Sequence, residues 1–173
     1  MDWQNPFTFY QLMAWPPFFL YIASYQVLTP RRTIMLWVPA SLFMAVHFYG
    51  IGSITALFIV LGSIIRDYIA IFGSRKTLLI TTISYVIYAW GIIILFADST
   101  HDYLIGVGTI FLSLATIFRE HFWQHRFFSM CNQGIWFIAF VLMGSYGGIA
   151  QNIAIMTSNI IGMVRYSKSN KKT

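Results

Sequence analysis

The sequence predicts an all-α membrane protein of seven transmembrane helices. Three observations predict it. Only 9% of the 173 residues are charged while 58% are hydrophobic, whereas a soluble domain carries roughly a quarter charged residues. Long uncharged runs recur along the chain at lengths that suit a bilayer. The basic residues then fall on alternate connections only, as they do in a protein threaded through a membrane. The net charge of +6 therefore does not indicate nucleic acid, since the cations punctuate apolar runs and form no basic patch on a polar domain. Cys131 is the single cysteine, which excludes an intramolecular disulfide.

A span needs about 20 mostly apolar residues. Residues 10–28 form the first uncharged stretch, closed by Thr29-Pro30-Arg31-Arg32. Residues 1–9 carry Asp2 and no Lys or Arg, unlike the basic start of a cleaved signal peptide. No charge lies between Arg32 and Arg66, which is too long for one span. Gly50-Ile51-Gly52-Ser53 divides it into spans near 33–49 and 53–72, because glycine and serine suit a tight helix corner. Residues 77–97 give a fourth span between Arg75-Lys76 and Asp98, and 103–118 a shorter fifth between Asp102 and Arg119. The uncharged stretch 127–164 is again too long, and Gly144-Ser145-Tyr146-Gly147-Gly148 splits it into a sixth and a seventh. The tail from Arg165 to Thr173 is polar.

The two long stretches align as an internal repeat. Arg31-Arg32 corresponds to His125-Arg126, Gly50 to Gly144 and Ala56 to Ala150. Each half reads span, basic loop, span, glycine corner, span, with the fourth span between them. The single membrane domain, residues 1–173, thus divides into a three-helix bundle (10–72), a linker helix (77–97) and a second three-helix bundle (103–166). Two triplets joined by one linker share an orientation, the parallel kind of repeat. Arg31, Arg32, Arg75, Lys76, Arg119, Arg126, Arg165, Lys168, Lys171 and Lys172 fall on one side, with Arg66 near the same end of span three. Asp2, Asp98 and Asp102 fall on the other. The positive-inside rule puts the basic side and the carboxyl-terminus in the cytoplasm and the amino-terminus outside.

Ile22-Ala23-Ser24-Tyr25-Gln26, the Arg31-Arg32 turn, His47-Phe48 before its glycine corner, and Ile160-Ile161-Gly162-Met163-Val164-Arg165-Tyr166 resemble the YgjV-type bacterial inner membrane proteins. The resemblance covers nearly the whole chain, residues 10–167. It implies the bacterial inner membrane and a helix layout similar to that of the SWEET, PQ-loop and PnuC transporters, and it brings no substrate. SWEET-type proteins carry matching prolines in both halves. Here Pro16, Pro17 and Pro39 have no counterparts in the second half, and no Pro-Gln pair is present.

Polar side chains within spans must find a partner or line a cavity, so they are the candidate site. Asn132 and Trp136 share a face of span six, Gln133 pointing elsewhere. Asn152 and Asn159 stack along one face of span seven. Trp37 and Ser41 share a face of span two, with His47 near its outer end. Amides to orient a solute and indoles to stack on it suit a pocket for a small polar solute. The bland alternative is that the amides only join helices. Arg66-Asp67 reads as a snorkelling pair at the headgroup level. His121 and His125, four apart, lack both the enclosed Glu of a zinc protease motif and a third ligand, so no metal is expected. Nothing resembles a nucleophile with its base or a phosphate loop, so neither an enzyme nor a cofactor is expected. With no charge deep in a span, passive movement of a neutral or weakly charged solute fits better than a proton-driven pump. Membrane lipids and the solute are the expected partners. The competing reading is a non-transporting protein whose basic face binds anionic lipid or a protein partner.

Overall fold

The computed structural model describes residues 9–170, and every regular element among them is a helix. Asp2, Lys171 and Lys172, used above for orientation, lie outside the described residues. The helices are α1 (Phe9–Leu12), α2 (Trp15–Gln26), α3 (Pro30–Gly50), α4 (Ile54–Phe72), α5 (Arg75–Phe96), α6 (Thr100–Ile117), α7 (Phe122–Leu142) and α8 (Tyr146–Asn170). Four of them, α3 to α6, are long and apolar enough to cross a membrane by length and composition alone. α7 and α8 are equally long but carry more polar side chains.

The stretch expected as the first span is broken in two. Pro16 and Pro17 occupy the first positions of α2, where their missing N–H groups cost nothing, but they cannot bond back into α1. α2 is consequently 12 residues long, about 18 Å at 1.5 Å per residue. The α3–α4 and α7–α8 corners close identically. Gly52 and Gly144 take left-handed φ values of 78° and 65°. The following Ser53 and Ser145 donate their N–H groups to the carbonyls of Phe48 and Phe140, the Schellman closure of a helix end. The left-handed counterpart of Gly144 is thus Gly52, whereas Gly50 is helical and packs on the Tyr10 ring.

Connections of two to four residues force neighbouring long helices to run antiparallel. α2 packs on α3, α3 on α4, α6 on α7, α7 on α8, and α8 returns to α2. α5 packs on α4 and α6, which also touch each other, so α5 lies at the periphery. Its outer face is correspondingly apolar and bare, with Ile87, Ile94 and Leu95 the most exposed. The interior shows the reverse pattern, holding Arg66, Asp67, Arg126, Asn132, Gln151 and Asn159 beside its Ala, Ile and aromatic side chains. Apolar outside and partly polar inside is the arrangement lipid requires, since polar groups there must face protein or a cavity.

Alternation also sorts the charges. The described basic residues at Arg31, Arg32, Arg75, Lys76, Arg119, Arg126, Arg165 and Lys168 gather at one end of the bundle, Asp98 and Asp102 at the other.

Close helix approach rests on small residues. A side chain at Gly162 of α8 would collide with the backbone carbonyl of Tyr25 on α2, while Gly91 of α5 faces open space. Gly162→Val is expected to destabilise the detergent-purified protein by about 1–3 kcal/mol, an overpacking cost. Gly91→Ala is expected to be neutral or to stabilise by up to about 1 kcal/mol through helix propensity. Thermal unfolding of both variants checks this pair, and equal losses would contradict the α2–α8 contact.

Candidate functional site

Inside the helices lies a cavity of about 650 Å³, its opening included. α3 contributes Trp37, Ser41, Met44 and Phe48, and α7 contributes Asn132, Gln133, Trp136 and Phe140. α4 and α8 add Ser63, Asp67, Gln151 and Asn152, and Tyr21, Tyr85 and Thr109 complete the polar wall.

Five of the seven residues singled out from sequence meet here: Trp37, Ser41, Asn132, Trp136 and Asn152. Gln133 joins them, although its helical position differs by one step from Asn132, because the cavity is broad enough to meet both faces of α7.

Two do not line it. Asn159 is buried in a joint: its Nδ2 donates to the Arg126 carbonyl at 3.2 Å, and its Oδ1 accepts from Arg126 Nη1 at 3.4 Å. His47 is held between the Tyr10 carbonyl, 2.8 Å from Nδ1, and Ser145 Oγ, 3.3 Å from Nε2. It therefore ties the α3 end to α1 and to the α7–α8 corner.

The cavity wall is rigidly wired. Trp37 donates Nε1–H to Ser24 Oγ at 3.2 Å and stacks on His125 at 5.5 Å between ring centres. Tyr21 and Ser41 hydroxyls lie 3.4 Å apart. Tyr85 donates to the Ile59 carbonyl, Ser63 to that of Val60 and Thr109 to that of Gly106. Asn152 turns Nδ2 to the Gly148 carbonyl at 3.2 Å. Three amide oxygens of the wall, on Asn132, Gln151 and Asn152, have no partner among the described residues. Phe48 and Phe140 stack at 6.0 Å with planes 9° apart, and Trp136 abuts both.

Arg66 and Asp67 do not snorkel to the surface. Their relative exposures are 0% and 1%. Both Nε and Nη2 of Arg66 donate to Asp67 Oδ1, at 2.8 and 2.7 Å. The guanidinium lies 4.5 Å from the centre of the Tyr85 ring, a cation–π contact strengthened by desolvation. Asp67 faces the cavity with Oδ2 uncommitted among the described residues. The expectation of a snorkelling pair is therefore corrected: the two charges are buried among helices. In sequence the pair stands near the end of an apolar run, where snorkelling is the usual outcome; the packing of α5 against α4 denies it that route.

Arg119 and Arg126, expected in a loop, are buried too. Arg119 donates to the carbonyls of Ala70 and Gly73 at the end of α4. Arg126 Nη2 donates to the Val27 carbonyl after α2 at 2.6 Å, its guanidinium beside the Tyr25 and Phe122 rings. Cations at helix carboxyl-ends satisfy orphan carbonyls and the macrodipole together. His125 points inward, Nδ1 bonded to the Ala115 carbonyl at 2.8 Å, so it does not pair with the exposed His121 as a ligand set.

The chain matches, over residues 8–170, the model of the family Imp-YgjV, described as bacterial inner membrane protein, and it belongs to that family. The bacterial inner membrane is accordingly its location. No curated protein and no solved structure matches the chain.

Removing one member of a buried ion pair leaves the other uncompensated, at about 3–5 kcal/mol. Asp67→Ala is expected to lower the thermal stability by that amount. The apolar double replacement Arg66→Met with Asp67→Leu is expected to recover most of the loss. A double variant no more stable than Asp67→Ala would contradict the pairing.

Proposed function

We propose that this protein is a facilitative transporter of a small polar solute across the bacterial inner membrane. The observation that carries the proposal is the cavity, because both halves of the chain build it and its wall mixes amides, hydroxyls and a carboxylate with indole and phenyl rings. Structural cores avoid voids larger than a water molecule, and a void with a polar wall is costly unless a solute or water meets that wall. A transport site lying between two half-bundles is the layout shared by repeat-built carriers.

We read the helices as a 3+1+3 arrangement, α2–α4 and α6–α8 forming the two triplets and α5 the linker. Two features support this reading. Exchanging the triplets maps the α4–α6 contact onto the α8–α2 contact, so the junctions between halves form a related pair. Phe48, Gly52 and Ser53 at one corner recur as Phe140, Gly144 and Ser145 at the other, with the same turn hydrogen bonds. The likeness in layout to SWEET-type carriers belongs to this proposal. On the positive-inside rule the basic end faces the cytoplasm, which puts the carboxyl-terminus inside and the amino-terminus outside.

Single cysteines in a Cys131-free background, treated from each side with a small water-soluble thiol reagent, test the proposal. Cysteines replacing Asn132, Trp136 and Asn152 are expected to react, from both sides if access alternates. A cysteine replacing Asn159 is expected to stay protected, since that position lies in the α7–α8 joint. Protection of all four from both sides would leave a sealed bundle and favour the non-transporting reading instead.

A further inference from the structure

The two halves meet along a seam between α3 and α7. α3 packs on α2 and α4, α7 on α6 and α8, and rings bridge the seam at two levels. Near the basic end Trp37 stacks on His125, 5.5 Å between ring centres. Near the other end Phe48 stacks on Phe140 at 6.0 Å, and Trp136 lies 5.7 Å from Phe48. Ser41, Met44, Asn132 and Gln133 line the cavity between these levels.

Phe48 and Phe140 are equivalent positions of the two halves. Each stands two residues before the end of its helix, at Gly50 or Leu142. The carbonyl of each accepts the N–H of the serine that follows a left-handed glycine, Ser53 or Ser145. Parallel repeats are related by an axis along the membrane normal, and residues exchanged by a twofold can touch each other only at its axis. A path between two half-bundles follows that same axis, so the stacked rings stand across it. Both rings line the cavity, and their residues are only 1% and 2% exposed, which places them between the cavity and the helix ends. We propose that the Phe48–Phe140 stack is the outer gate of the cavity; this rests on the transport-site reading and the orientation given above. An apolar constriction closes a path by excluding water, and with it a hydrated solute. Phenyl rings make no conventional hydrogen bond, so parting them orphans no polar group. Gly148 of α8 seats the Phe140 ring, since a side chain there would collide with it. His47 Nε2, 3.3 Å from Ser145 Oγ, ties the same two corners beside the stack.

The test uses the full-length, Cys131-free protein with Ser63→Cys as a reporter in the cavity wall. A small membrane-impermeant thiol reagent is applied to right-side-out and to everted membrane vesicles, so that each face is sampled alone. Phe48→Ala and Phe140→Ala are each expected to raise the modification rate from the outer side several-fold and to leave the rate from the cytoplasmic side unchanged. Phe48→Leu and Phe140→Leu keep apolar bulk at the seam and are expected to act in the same direction but less; they carry the test should an alanine variant fail to fold. Equal gains from both sides would mean a loosened bundle and would overturn the gate. No gain from the outer side in any variant, with Ser63→Cys labelled from either side, would overturn the gate and leave the transport reading standing. Protection from both sides in every variant would remove the transport reading with it.

Discussion

Arg66 and Asp67 are adjacent on α4, buried, and joined through two hydrogen bonds to one carboxylate oxygen. Buried among helices, neither charge could stay there alone, because water is not available to replace a missing partner. The pair thereby dictates its surroundings. Tyr85 must come across from α5 to cover the guanidinium. That contact brings α5 over α4, with Gly62 of α4 fitting beneath Tyr88 and Tyr85. The free edge of Asp67 then needs a polar space in front of it, and the cavity between α3 and α7 supplies one.

The other buried arginines obey the same constraint by a different route. Arg119 pairs through Nε with the exposed Glu120, and both Arg119 and Arg126 take backbone carbonyls, at the ends of α4 and α2. Asn159 completes the second of these joints, bonding both ends of Arg126 to α8. The basic end of the molecule is thus partly a topology signal and partly a set of helix caps. Arg31, Arg32, Arg75 and Lys76 are exposed and serve the first purpose, while Arg119 and Arg126 are built into the second.

Much of the fold was legible in the sequence, and the reasons are simple. Uncharged runs bounded by cations mark helices, and the glycine corners mark where long runs divide. The site was half legible. Trp37, Ser41, Asn132, Trp136 and Asn152 stand out because polarity inside an apolar run is rare. Hydropathy could not distinguish Asn152 from Asn159, which lie two turns apart on one face of α8. Only the position of Arg126 on another helix separates a cavity residue from a joint. The burial of Asp67 was hidden for a related reason: a charge near the end of an apolar run either snorkels or is covered, and the covering comes from α5. Pro16 and Pro17 did signal the break before α2, but the uncharged run around them masked it.

The proposed transport requires wet and dry to be inverted, with water in the interior and lipid outside. Ser63 and Ile65 are two residues apart on α4; Ser63 is buried on the cavity wall and Ile65 is 64% exposed on the outer surface. Thiol reagents act on the thiolate, which forms in water and not in hydrocarbon. The most direct measurement is the modification rate of Ser63→Cys against Ile65→Cys, each Cys131-free and in proteoliposomes, with a small membrane-impermeant reagent applied to both faces. The account predicts fast reaction at the buried position 63 and little at the exposed position 65. Fast reaction at 65 with protection at 63 would contradict it.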